Sequence, residues 1–236
     1  MALQIASFLS GKDGHVVYYK RGNTYCLRPA RTQLKQTAAT QLRSRNFGIA
    51  AGAARTFRQL LLPVLPFPKD KKMQSRFGGA MAKWLGSNEL SMITADTDLS
   101  SVHTFSFNEH TSTAERCRVN FTCTQSSPGE ITLDIPAFVP EHSIAAPANT
   151  SALDCTFVAA CVRITDGEAM GSDIISLSVP YDDVMIPAQT RSFSVAATRG
   201  CLVIVAAAIT YRLSNGKKEM RPVFLPSSVV DAWYVD

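Results

Sequence analysis

The chain has 236 residues, 46% of them hydrophobic and 18% charged, which excludes wholesale disorder and fits one large domain or a domain with a long extension. Its net charge of +5 conceals an asymmetry: residues 1–86 carry 15 Lys and Arg against only Asp13 and Asp70, a net +13, while residues 87–236 carry 9 basic and 17 acidic side chains, a net −8. A basic segment beside an acidic body leaves three readings: binding of a polyanion, docking of one subunit's arm on the next subunit's body, or packing of the arm on its own body.

In chain order, the first fifteen residues hold a short apolar run with no positive residue before it and no small-residue cleavage site after it, so a secretory signal is not expected. "HVVYYK" and "TYCLR" are rich in β-branched and aromatic residues, and "RGN" between them supplies a turn, which predicts a β-hairpin. A lone hairpin is marginal in water, so this one is expected to pair with another sheet. A linker, "ARTQLKQT", leads into a helix predicted over about 37–62, with Ile49, Ala53, Phe57, Leu60 and Val64 on one face. Its middle, from Gly48 to Ala54, is thin, and the two glycines there cost helix propensity that close packing would offset. Pro63, Pro66 and Pro68 stop it; a second helix over about 70–85 carries Phe77, Met81, Trp84 and Leu85, with Gly86 as a stop signal.

From about residue 100 the period changes to two. "VHTFSF", "RCRVNFTC", "EITLDI", "ALDCTFVAACVRIT", "DIISLSV", "TRSFSVAA", "CLVIVAAAITYRL" and "VVDAWYV" read as strands, with an Asn-Gly turn in "SNGKK". Seven or eight strands at this spacing, with no helical pattern between them, predict an antiparallel sandwich. The boundary is placed near residues 86–100. Six cysteines, Cys26, Cys117, Cys123, Cys155, Cys161 and Cys201, include no C-x-x-C pair, and free buried thiols are expected rather than disulfides.

Motifs for catalysis are missing. His103 and His110 flank Glu109 without ligand spacing, and Asp182 and Asp183 are adjacent, so they point apart in a strand or loop. No nucleophile elbow, phosphate loop or dinucleotide fingerprint occurs. No catalytic residue, cofactor site or metal site is therefore assigned, and the protein is expected not to be an enzyme. Nucleic acid is the competing partner, because Lys20, Arg21, Arg43, Arg45, Arg55, Arg58, Lys71 and Lys72 lie in a segment interleaved with tyrosines.

Gly11, Gly14, Val16, Val17, Gly22, Tyr25, Arg28, Pro29, Thr37, Gln41, Arg45, Phe47 and Ala50 form a spaced pattern over roughly residues 8–65. The pattern resembles an uncharacterised Bacteroidota family known only as a domain of unknown function. Cys26 departs from it, standing where the family more often carries isoleucine or valine. The resemblance implies a β-rich second half and no enzymatic activity, cofactor or catalytic residue.

The combined expectation is an α+β, mainly β protein. A basic hairpin-and-two-helix arm, residues 1–86, precedes an acidic antiparallel immunoglobulin-like β-sandwich, residues 87–236. The function expected is non-enzymatic self-assembly, head to tail, into a filament, surface layer or phage-like particle. Its contact residues are Val16, Val17, Tyr18, Tyr19, Tyr25, Arg28, Arg45, Phe47, Gly48, Gly52 and Phe57. No membrane span is expected, the longest later apolar run being only nine residues, 201–209. The expected location is the cytoplasm or an assembled particle.

Overall fold

The computed structural model describes residues 2–5, 8–30, 36–66, 70, 72–86 and 88–236, without the side chains of residues 2–5 and 8. The linker residues 31–35, Pro68 and Lys71 lie outside the described residues. Two compact units are present, residues 1–41 and 42–236.

The first unit is a four-stranded antiparallel meander in sequential order: β1 (Ala2–Ile5), β2 (Phe8–Asp13), β3 (Val16–Arg21) and β4 (Thr24–Pro29). The predicted hairpin is its second half, with Val16 opposite Pro29 and Arg21 opposite Thr24. Two-residue turns join β2 to β3 and β3 to β4. Each begins with a glycine at positive φ, Gly14 at 58° and Gly22 at 61°, a conformation that costs any residue with a Cβ.

The second unit begins within α1 (Ala38–Leu60), whose first turn is capped by Thr37: its hydroxyl accepts the Thr40 N–H at 3.2 Å. α2 (Met73–Leu85) ends at Gly86, φ 54°, whose N–H donates to the Ala82 carbonyl. Two sheets follow. One has the order β11-β10-β7-β8, built from β7 (Thr150–Arg163), β8 (Glu168–Pro180), β10 (Cys201–Leu213) and β11 (Ser227–Val235). The other has the order β5-β6-β9, built from β5 (Thr122–Ser127), β6 (Glu130–Ile135) and β9 (Gln189–Ser194). All pairings are antiparallel.

Alternation along β7 and β10 builds two cores, one on each side of the four-stranded sheet. Val158, Ala160, Val162, Leu202, Ile204 and Ala206 share a core with Ala50, Ala53, Ala54 and Phe57 of α1 and with Phe77, Met81, Trp84 and Leu85 of α2. The intervening residues, among them Phe157, Cys161, Val203, Val205 and Ile209, share the other with Ile131, Leu133, Ile135 and Phe193 of the three-stranded sheet. The unit is thus three layers: helices, four-stranded sheet, three-stranded sheet. Every residue from Cys201 to Ile209 is buried because both faces of β10 are covered.

Four expectations change, and the first concerns "RCRVNFTC", which becomes strand only at Thr122: Thr113–Arg116 is a short helix and Cys117 makes an isolated bridge to Ile144. The compact units part between Gln41 and Leu42, not near residues 86–100, because the apolar faces of both helices complete a core with β7 and β10. "VHTFSF" is no strand: Ser100–His103 forms a short helix, α3, and Phe105 and Phe107 drop onto Phe77 with ring centroids 4.9 and 5.5 Å away. Lastly, the meander has two strands ahead of the predicted hairpin, where only an apolar run was read.

Candidate self-association surface

The register of the meander sorts its side chains onto two faces, since residues opposite one another in an antiparallel pair point the same way. Tyr18 lies opposite Leu27, Lys20 opposite Tyr25, and Val16 opposite Pro29. On the reverse face, Val17 lies opposite Arg28 and Lys12, Tyr19 opposite Cys26, and Arg21 opposite Thr24. The first face is mostly apolar and the second is cationic. Cations lie over two of the tyrosines: Lys20 Nζ is 5.5 Å from the Tyr25 ring centroid and the Arg28 guanidinium 6.0 Å from that of Tyr19.

Among the described residues both faces stay partly or fully exposed. No residue from Leu9 to Ala30 is buried; Leu27 is 69% exposed and Tyr25 54%. Six of the expected contact residues, Val16, Val17, Tyr18, Tyr19, Tyr25 and Arg28, therefore sit together on an exposed sheet, three on each face.

The other five lie on α1. Phe57 is fully buried, its ring 6.2 Å from that of Phe77, and is committed to the chain's own core. Arg45, Phe47, Gly48 and Gly52 are exposed, Phe47 at 61%. A Cβ added at Gly48 or Gly52 would meet nothing within 4 Å. The thin middle of the helix does receive a close neighbour, the β7–β8 turn. A Cβ at Gly167 would lie 3.4 Å from the Gly52 carbonyl carbon, and the Thr56 hydroxyl donates to the Gly167 carbonyl at 2.7 Å.

Residues expected for nucleic acid do not gather on one element. Lys20 and Arg21 point to opposite faces of the meander. Arg43, Arg45, Arg55 and Arg58 lie along α1, and Lys72 precedes α2. Arg76, by contrast, is held in place, donating to Asp70 and to the Ser106 carbonyl.

Reactive groups are scattered. Among the described residues no three His, Cys, Asp or Glu side chains gather to hold a metal ion. Asp182 accepts the Val184 N–H in a local turn. His110 reaches Glu109 only at 4.0 Å, whereas His103 lies 3.6 Å from Asp231, a partner 128 positions away that no local spacing reveals. Burial pushes the Cys117 thiol up to about 11, and those of Cys123, Cys155 and Cys161 up to about 12, so none of these is a ready nucleophile near neutral pH. All six cysteines are free thiols. No described helix is long and apolar enough to cross a membrane.

A comparison with protein-family models finds none that matches the chain, and none of the curated proteins matches it either.

Proposed function

We propose that the protein is a non-enzymatic structural protein that self-assembles, its basic N-terminal module docking on the acidic β-sandwich of a neighbouring subunit. One observation carries this reading: a four-stranded sheet with Val16, Tyr18, Tyr25 and Leu27 on one face buries none of them. A sheet gains stability by covering an apolar face, and each large side chain left in water forgoes roughly 1.5–3 kcal/mol. Charge favours the sandwich as the neighbour's surface. The outward face of its three-stranded sheet carries Glu130 and Asp134 among Thr122, Thr124, Thr132, Thr190, Ser192 and Ser194, with no Lys or Arg at those alternating positions.

The finer architecture belongs to the same reading. Counting β5 to β11 as seven strands, the first, second and fifth form one sheet and the fourth, third, sixth and seventh the other. That order fits an immunoglobulin-like sandwich with the fourth strand moved beside the third. The kinship with the Bacteroidota family rests partly on Gly14 and Gly22, the two turn glycines of the meander. A filament, a surface layer and a phage-like particle all suit a head-to-tail contact.

Light scattering on the eluting protein and negative-stain microscopy, at low and high salt, test the reading. Assemblies larger than a monomer are expected, weaker in high salt, and lost in the variant Tyr25→Asp/Leu27→Asp with its thermal unfolding unchanged. A strict monomer at both salts sinks the proposal. The second reading, nucleic-acid binding, is favoured by the cations over Tyr19 and Tyr25. It requires single-stranded DNA to bind at low salt and release steeply as salt rises.

A further inference from the structure

A groove of about 350 Å³ opens at the edge of the sandwich where β11 lies beside β5. Its polar lining comes from Gln125 on β5, from Asp231, Trp233 and Tyr234 on β11, and from His103 at the end of α3. A β-bulge shapes it. Val205 pairs with Asp231 and Ala206 with Val229, so Val230 is the extra residue and the second half of β11 is re-aimed.

Part of this arrangement closes the strand edge. The Ala232 carbonyl lies 2.9 Å from His103 Nε2, and the Ala232 N–H donates to Asp231 Oδ1 at 2.8 Å. Because a carbonyl can only accept, Nε2 carries the ring proton. The outward backbone groups of Ala232 are thereby occupied, which blocks the pairing of another strand at that residue.

Edge closure leaves four polar groups unused. Asp231 Oδ2, the Gln125 amide, Trp233 Nε1 and the Tyr234 hydroxyl make no hydrogen bond with any described residue and stay within reach of water, their side chains being partly exposed. Burial pushes the Asp231 carboxyl up, against the opposing effects of the Ala232 N–H and His103. Asp231 and Trp233, two apart on β11, share a face, whereas Tyr234 points the other way, its ring 5.7 Å from that of Trp84. A carboxylate and an amide beside an indole, in a groove of this size, suit a small-molecule site.

We propose that this groove binds a neutral polyhydroxylated ring, a saccharide unit, stacked on Trp233 and hydrogen-bonded by Asp231 and Gln125. The chemistry selects that class. An indole face attracts the polarised C–H face of such a ring. A carboxylate oxygen accepts from hydroxyls, and an amide both donates and accepts, so one ring's alternating hydroxyls satisfy both. Among the described residues no Lys or Arg lines the groove to hold an anion. Asp231 Oδ1 already has His103 Nδ1 3.6 Å away and accepts the Ala232 N–H.

The chain has two tryptophans, Trp84 and Trp233, so a ¹⁵N-labelled sample gives two indole signals, which Trp233→Phe assigns. D-glucose, D-galactose and N-acetyl-D-glucosamine are each titrated to about 50 mM, a range that captures a Kd on the order of 1 mM. At least one is expected to shift the Trp233 signal saturably while the Trp84 signal stays still. Asp231→Asn, which keeps the oxygen that caps Ala232, and Gln125→Ala are each expected to weaken the effect about tenfold, with thermal unfolding unchanged. The proposal is overturned if none of the three sugars shifts the signal. It fails equally if tetramethylammonium shifts it and the sugars do not, or if the sugar response survives both substitutions.

Discussion

β10 and β3 are both antiparallel strands with apolar side chains, yet they differ in burial. From Cys201 to Ile209 every residue of β10 is buried, with helices on one face and the three-stranded sheet on the other. From Val16 to Arg21 no residue of β3 is. The hydrogen-bond ladders are of the same kind, so the difference lies in what covers them. A ladder specifies register, and covering the faces supplies most of the free energy. The sandwich buries both faces of its central strands, whereas the described residues of the meander bury none of theirs.

Hydrogen exchange gives the largest expected contrast. Amides of β10 and β7 should exchange only through global unfolding, typically 5–15 kcal/mol for a domain, while those of β3 and β4 should open at a small fraction of that cost in dilute monomer. Equal protection in both strands of a monomeric sample breaks the comparison. Protection that appears in the meander only on concentration sharpens it. Core truncation comes next: Phe157→Ala is expected to cost about 3–5 kcal/mol in denaturant unfolding, since its ring is fully buried against Phe121 at 5.0 Å. Val17→Ala, half-buried on the meander, should stay within about 0.5 kcal/mol.

Acid should separate the units as well. The Arg221 side chain and the N–H groups of Arg221 and Met220 hold the Glu219 carboxyl down, from 4.5 to about 2. A carboxylate with a depressed folded pKa stabilises the fold above its unfolded value, and that contribution is lost as pH falls from about 4.5 towards about 2. Glu219→Gln should therefore flatten the loss of sandwich stability over that window, leaving the meander's exchange rates unaffected. The smallest effect is expected at Gly48, where open space surrounds the missing Cβ. Gly48→Ala should raise thermal stability by roughly 0.5–1 kcal/mol. If it also weakens assembly, the exposed stripe of α1 takes part in the contact.

Local chemistry made much of this legible in advance. β6 and β10 coincide with "EITLDI" and "CLVIVAAAITYRL", and α1 and α2 end where proline and Gly86 stop them. The turn glycine Gly22 and the exposed tyrosines of the meander were likewise readable, because turns and alternation depend on neighbours a few positions away. Misreadings arose wherever a residue's role depended on distant chain. Phe57 was taken for a contact residue because its helical face is apolar, but the periodicity cannot say that β7 and β10 lie beneath it. The thin stretch from Gly48 to Ala54 was read as suited to close packing, and Ala50, Ala53 and Ala54 lie in the core shared with the chain's own sheet. His103 had no partner within local reach, and the pairing of β10 with β11 carried Asp231 to it.

By itself, then, the sequence determined most of the strands and helices and which face of each is apolar, but not β1, β2 or the course of "VHTFSF". Those properties follow from short-range sterics and from periods of 2 and 3.6 residues. Only the tertiary structure decided what each apolar face meets: both faces of β10 are buried, and no residue of β3 is. Periodicity marks a surface to be buried, but the covering layer is chosen by contacts between residues far apart in the chain.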